Sequence, residues 1–520
     1  MPVLTDLLRE RARQHPDRII FHAGDESVTY AEFDARADRV AAALAAAGVG
    51  PGDRVAVLDK NSVEYQEVLF GAARAGAVQV PVNYRLAPDE VAYIVDNAEA
   101  KVLVAGPEFT PVLDAVADRL KHTGLLLVAG GEGHAYRDYR SWVEATGTAP
   151  PDHRADGGDV FVQLYSSGTT GRPKGVMLTH DNFLSVLPLI DDLWAMGEHT
   201  VLMVAMPMYH VAGCACAVAI VFKGVTGVIA REPDPVAIAA AIERHAVTHI
   251  FLVPVLLQFM QLMPEVAAHD LSSLELLLYG ASPISDDVLR GAMAMLPGCR
   301  FMQVYGLTET TGAITYLPPE DHDPDGPHPA RLRSAGIPNP MVELRIADPA
   351  TGEDAAAGEV GEIWCRTPQN MLGYWALPEA TAAALPEGGW FRTGDAGYLD
   401  ADGYLYIHDR VKDMIISGGE NIYPAEVENV LMGHPQVADC AVIGVPDERW
   451  GETPKAIVVL AGDADATDRD LIDHCRERLA HFKCPSSVER RDAIPRNPTG
   501  KILKRELRAP YWEGEDRAVH

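Results

Sequence analysis

Apolar positions in the first half of the chain alternate between helical stripes and short unbroken runs. Thr29, Tyr30, Ala31 and Glu32 have the Thr-x-x-Glu spacing of a capping box. Behind them Phe33, Ala37, Val40, Ala41 and Leu44 recur at three- to four-residue intervals, which predicts a helix ending near Gly48. Gly50-Pro51-Gly52-Asp53 reads as a turn, 55–58 as a short strand, 62–75 as a second helix and 78–82 as another strand. The same alternation recurs through strand-like runs at 101–104, 201–205, 227–230 and 250–253, so the expected class is α/β, with parallel or mixed sheets flanked by helices. From Ser334 the texture becomes Gly-rich with strand-like pieces at 341–346, 361–365 and 404–408, which predicts a smaller β subdomain. Residues 410–520 carry helix, strand, strand, helix and strand signals, enough for a small α+β unit with its own core. The expected organisation is a large domain over 1–409 and a C-terminal domain over 410–520.

Composition narrows the class. With 520 residues, 48% apolar and 23% charged, the chain is too long for a small binding module and too apolar for disorder. Its longest stretch free of Asp, Glu, Lys and Arg, Thr200 to Phe222, contains Pro207 and His210; it reads as strand, loop and small-residue helix, so no transmembrane segment is expected. Seven cysteines form no CxxC pair, which fits reduced core thiols better than a zinc site or a disulfide framework. The N-terminus reads as a charged amphipathic helix without a signal-peptide core, and a cytoplasmic location follows as the expectation. A formal charge of −30 makes nucleic acid a poor partner. One stretch runs against that balance: Arg476 to Arg508 holds ten Lys or Arg against four acids, and is where an anionic ligand is expected to meet the chain.

The most informative segment for chemistry follows the apolar strand at 160–164. Tyr165, Ser166, Ser167, Gly168, Thr169, Thr170, Gly171, Arg172, Pro173, Lys174 and Gly175 combine hydroxyls, glycines and a lysine in one loop, able to offer backbone N–H groups, hydroxyls and a point charge to phosphate oxygens. The loop is not of the GxxxxGK[ST] type, and taken alone its composition is that of a turn. It is followed in order by Pro207-Met208-Tyr209-His210, Tyr279-Gly280-Ala281-Ser282, Tyr305-Gly306-Leu307-Thr308-Glu309, Trp390-Phe391-Arg392-Thr393-Gly394-Asp395, Asp409-Arg410-Val411-Lys412-Asp413, Ser417-Gly418-Gly419-Glu420-Asn421-Ile422-Tyr423-Pro424 and Pro495-Arg496-Asn497-Pro498-Thr499-Gly500-Lys501.

In this order, over essentially the whole chain, the motifs resemble the adenylate-forming superfamily of acyl-CoA synthetases, aryl-CoA ligases, firefly-type luciferases and peptide-synthetase adenylation domains. The resemblance implies two flanked sheets and a β subdomain under a mobile C-terminal lid, with ATP, Mg²⁺ and CoA as reactants and cofactor. It implies that Ser166 to Gly171 and Lys174 hold the triphosphate, that Gly280, Ala281 and Ser282 wall the adenine site beside Tyr305, Gly306 and Thr308, and that Glu309 holds Mg²⁺. Asp395 would accept from the ribose hydroxyls with Arg410 close by, and Lys501 would reach the α-phosphate and the acyl carboxylate. A carboxylic acid is already ionised at neutral pH, so its adenylation needs fixed positive charge rather than a base. Thiol attack needs a different arrangement, which the family reaches by turning the lid at Lys412 so that Gly418, Gly419 and Glu420 replace Lys501.

The resemblance places His210, Val211, Ala212, Cys214 and Gly280 around the acyl group. No charged residue follows His210 before Lys223, which disfavours an amino-acid substrate, and no Asn follows it as in dihydroxybenzoate activators. Apolar residues of 255–263 (Leu256, Leu257, Phe259, Met260, Leu262 and Met263) are candidates for a tunnel wall. The overall similarity points to bacterial fatty-acyl-CoA synthetases. A ligase that loads an acyl carrier protein, and an aryl-acid:CoA ligase, stand as alternatives, and a homodimer is left open.

Overall fold

The computed structural model describes residues 3–512 except 132, 133, 148, 167–171, 350, 357, 411, 412, 419, 448, 463 and 497–501; the side chains of 188, 192, 409, 410, 420 and 421 also lie outside the description. The chain forms two compact units. The first comprises Met1–Leu332, Pro338–Glu343 and Arg366–Phe391, and the second Arg333–Ile337, Leu344–Cys365 and Arg392–His520.

Two large sheets build the first unit. In one, parallel strands lie in the order Thr226–Ile229, Val201–Val204, His249–Leu252, Leu276–Gly280 and Arg300–Leu307, and Gly312–Leu317 returns antiparallel beside the last. In the other, Arg54–Leu58, Val78–Pro81, Ala100–Ala105 and Val160–Ser166 run parallel, and Lys174–Thr179 returns beside Val160–Ser166. The capping box forms: Glu32 N donates to Thr29 Oγ1 at 3.2 Å and Thr29 N to the Glu32 carboxylate at 2.9 Å, starting the helix Tyr30–Ala46. That helix packs on Val63–Arg74 so closely that any side chain at Gly71 would collide with Val40.

The uncharged stretch becomes the strand Val201–Val204, a loop and the helix Val211–Lys223, as its breakers predict. At 13 residues, about 20 Å, the helix is too short to cross a bilayer, and no described helix is long and apolar enough to do so.

In the second unit, Leu405–Arg410 pairs antiparallel with Trp390–Leu399 in a four-stranded sheet. A C-terminal sheet joins Glu420–Ile422, Ile415–Ser417, Gly451–Leu460, Val437–Asp447 and Ser487–Arg490. The helices Pro424–Met432 and Asp468–Arg476 contribute Val427, Leu431 and Leu471 to the core over this sheet, with Ile422, Val442 and Val458. The hairpin 415–422 adds to the elements expected there. All seven cysteines are free, and six of them are buried.

The basic stretch requires a correction. Eight of its ten cations are ion-paired within the second unit: Arg476 with Asp473, Arg478 with Glu477, Lys483 with Glu426, Arg490 with Asp468, Arg491 with Glu489, Arg496 with Asp439, Lys504 with Glu428 and Arg508 with Asp413. Most of its charge is neutralised locally by acids from elsewhere in the unit, so it is not the free cationic surface that composition suggests. Lys501 lies outside the described residues.

Candidate active site

In the first unit the candidate residues gather at the carboxyl ends of parallel strands, the usual place for ligands in open α/β sheets. Val201–Val204 leads into Pro207 to His210, Leu276–Gly280 into Ala281 and Ser282, and Arg300–Leu307 into Thr308 and Glu309. From the other sheet, Ser166 ends its strand directly opposite Lys174, which begins the next. The loop from Ser167 to Gly171 lies outside the described residues, so the structure fixes its two ends only.

Glu309 is held from three directions. Ser166 Oγ and Tyr374 Oη each donate to its Oε1 at 3.1 Å, and Met371 N donates to its backbone oxygen at 2.8 Å. Its Oε2 has no hydrogen-bond partner among the described residues. A hard, acceptor-only carboxylate oxygen left in this way suits a divalent cation such as Mg²⁺. Lys174 Nζ sits 4.7 Å from the centroid of the Tyr374 ring and makes no ion pair among the described residues.

Backbone geometry accounts for the glycines nearby. A side chain at Gly280 would run into the Val304 carbonyl of the neighbouring strand, and one at Gly306 into that of Gly312. Tyr305 and Gly306 flank a register shift against Gly312–Leu317. Ala281 has φ +64°, a left-handed conformation that costs a non-glycine residue about 1 kcal/mol or more and that gathers at ligand-binding turns.

His210 precedes the helix Val211–Lys223, and its ring lies 4.4 Å from that of Tyr209. Its Nε2 is buried and has no hydrogen-bond partner among the described residues. Burial, and secondarily the charge of Arg85, lower its pKa from 6.5 to about 4, so the imidazole is mostly protonated only below about pH 4 and neutral well above it. Adenylation between pH 5 and 8 should therefore show no inflection owed to His210, and His210→Asn should lower the rate without reshaping the pH profile. A wild-type inflection near pH 6.5 that the variant lacks would contradict this.

The loop carrying His210 is clamped by Asn61, only 4% exposed. Asn61 Nδ2 donates to Met206 O and Ala230 O at 3.0 Å, and its Oδ1 accepts from Met208 N at 2.8 Å. Gly213 brings the helix onto the same loop, since a side chain there would strike the Met206 and Pro207 carbonyls. Val211 and Ala212 are half-buried and Cys214 buried; burial pushes the Cys214 thiol up to about 12, which leaves it a packing group and not a nucleophile. The helix Pro254–Leu262 departs from the tunnel expectation. It buries Leu256, Leu257 and Met260, but Phe259 is 47% and Leu262 69% exposed, and Met263 just beyond it is exposed as well. Those three line no enclosed tunnel.

In the second unit, Asp395 lies within the strand Trp390–Leu399, opposite Arg410, and its N–H is bonded to Thr393 Oγ1 at 3.0 Å. Gly394 takes φ +69°, so Thr-Gly-Asp keeps a turn-like kink inside the strand, and pairing with Leu405–Arg410 begins at Asp395. Glu420 pairs with Ser417 across the hairpin. Gly418 has φ +61° and packs against Trp450, where an added Cβ would sit 2.7 Å from Cε3, so glycine is required there for local reasons alone. Lys412, Gly419 and Lys501 lie outside the described residues.

Sequence reasoning missed Asn61 and Tyr374. The only signal for Tyr374 is its place in the uncharged run Pro-Gln-Asn-Met-Leu-Gly-Tyr-Trp at 368–375.

The AMP-binding enzyme family matches residues 8–375, and the AMP-binding enzyme C-terminal domain matches residues 426–501. The chain is 41% identical to the fatty acid–[acyl-carrier-protein] ligase ScoC of Streptomyces coeruleorubidus, over 95% of this chain and 93% of that protein. It is 42% identical to a feruloyl-CoA synthase of an Amycolatopsis species, over 96% and 97%. Among solved structures it resembles a Mycobacterium tuberculosis fatty acyl CoA synthetase with a TM-score of 0.79 and 35% identity, covering 98% of this chain and 99% of that one.

Proposed function

The chain belongs to the AMP-binding enzyme family of adenylate-forming acyl ligases, and from that premise we propose that it is an ATP-dependent acyl-CoA synthetase acting on an acid with an apolar tail, a fatty acid first. Carboxylate oxygen attacks the α-phosphorus of ATP, releasing pyrophosphate and forming acyl-AMP. The thiol of CoA then attacks the acyl carbon, and AMP leaves with the oxygen it received from the acid.

The observation that carries this reading is the grouping of Ser166, Lys174 and Glu309 at the carboxyl ends of the sheets. Ser166, the loop Ser167, Gly168, Thr169, Thr170 and Gly171, and Lys174 hold the triphosphate; Glu309 directs its free oxygen to Mg²⁺. When bound, Mg²⁺ neutralises charge on the leaving pyrophosphate. Gly280, Ala281 and Ser282 with Tyr305, Gly306 and Thr308 face the adenosine, and Asp395 and Arg410 take its ribose. Lys501 relieves the repulsion between acid and α-phosphate. The C-terminal domain, 410–520, supplies Lys501 to the first half-reaction and Gly418, Gly419 and Glu420 to the second, with Lys412 as the hinge. His210, Val211, Ala212 and Cys214 border the acyl group. Neutral His210, with no charged residue before Lys223, favours an uncharged tail.

CoA is taken as the first acceptor to test; the basic stretch, largely ion-paired within its own unit, offers no separate attraction for an acidic carrier protein and none for the CoA phosphates either. The test follows AMP and pyrophosphate with acids from acetate to palmitate, benzoate and ferulate, each with and without CoA. AMP released rapidly only with CoA, and best with an aliphatic acid, is the expected result. Ferulate or benzoate as the preferred acid would overturn the aliphatic assignment, and acyl-AMP that CoA fails to discharge would overturn the acceptor.

A further inference from the structure

Tyr374 stands 65 residues beyond Glu309 and 200 beyond Lys174, yet touches both. Its backbone is fixed before its side chain acts. The two-residue strand Gly373–Tyr374 pairs antiparallel with Lys174–Thr179, setting Tyr374 opposite Val176 and Gly373 opposite Met177. Tyr374 N donates to Thr381 Oγ1 at 2.9 Å, and Trp375 N to Gly175 O at 2.7 Å. Trp375 Nε1 donates to Asn97 O at 2.9 Å, and the Arg54 guanidinium lies 3.4 Å from the Trp375 ring centroid.

The hydroxyl donates to Glu309 Oε1, and the ring lies against the Lys174 ammonium. The ammonium lies 4.7 Å from the ring centroid and the carboxylate oxygen 3.1 Å from the hydroxyl of the same tyrosine, and opposite charges on two sides of one side chain attract each other once it is gone. Such a pair would spend both charges on each other, leaving neither for a phosphate or a cation. An aromatic face holds an ammonium by its quadrupole without cancelling its charge, which a carboxylate in the same place would do. A phenol that donates to one carboxylate oxygen fixes the group while leaving the other oxygen to accept.

We propose that Tyr374 is a positioning residue that keeps Lys174 and Glu309 apart, each with its charge available, one to triphosphate and the other to a divalent cation. This rests on the ATP-binding role given above to those two residues. Two substitutions separate the contributions: Tyr374→Phe removes the hydroxyl and keeps the ring, and Tyr374→Leu removes both.

Calorimetric ATP binding to the full chain without acid, over a range of Mg²⁺ concentrations, reads the effect. Tyr374→Phe should need about tenfold more Mg²⁺ for half-maximal ATP affinity, with affinity at saturating Mg²⁺ close to wild type. Tyr374→Leu should lose a further three- to tenfold in ATP affinity even at saturating Mg²⁺. Adding Glu309→Gln to Tyr374→Leu should restore part of that loss, because Lys174 then has no carboxylate to pair with. A purely structural role moves no such suppressor, and matching melting temperatures would show that the variants fold. Wild-type titrations in Tyr374→Leu, or no recovery in the double variant, would overturn the spacer role. If the wild-type chain itself bound no ATP, the parent assignment would fail instead.

Discussion

Lys501→Ala is expected to slow acid-dependent formation of acyl-AMP by about 100- to 1000-fold, while transfer from supplied acyl-AMP to CoA keeps most of its rate. Two anions meet in the first half-reaction, and charge builds on the α-phosphate as the carboxylate oxygen approaches. A fixed ammonium is worth most where that charge develops. The second half-reaction has already expelled pyrophosphate and joins a thiol to an activated carbonyl, so the cation is no longer needed. Quenched-flow measurement of acyl-AMP, beside CoA-dependent discharge of synthetic acyl-AMP, separates the two rates. An equal fall in both would show that Lys501 supports the structure or serves both steps.

Glu309→Gln should reduce adenylation by about 100-fold at millimolar Mg²⁺ with little change in melting temperature. The amide oxygen can still accept from Ser166 and Tyr374, which now meet Oε1, so the turn stays in place. Its NH₂ then occupies the place of the free Oε2, presenting a donor where a divalent cation needs an acceptor. Raising Mg²⁺ should recover part of the rate. Full activity at low Mg²⁺ would remove Glu309 from the metal site.

Local signals in the sequence gave local structure. The capping box at Thr29 and Glu32 and the breaker at Pro207 act within a few residues, and each element begins or ends where its chemistry requires. What was not legible depends on distant partners. Thr393-Gly394-Asp395 has turn composition and Gly394 does take φ +69°, but that the segment lies inside a strand pairing with Leu405–Arg410 from Asp395 onward depends on residues far along the chain. The cations from Arg476 to Arg508 look free in sequence because acids that neutralise them, Asp413, Glu426, Glu428 and Asp439 among them, come from other elements. The apolar stripe of Pro254–Leu262 does not say which of its residues face solvent; tertiary packing decides that. Glu309 and Lys174 were legible as candidates, whereas Tyr374 was not, because only the short strand at 373–374 brings it beside them.

The central claim is that the acid is activated as an adenylate, and the most direct measurement is exchange of labelled pyrophosphate into ATP in the absence of CoA. Exchange that requires Mg²⁺ and a carboxylic acid, and is lost in Lys501→Ala, is the predicted result. Acid-dependent release of ADP and phosphate without any exchange would mean an acyl-phosphate route and would contradict the account.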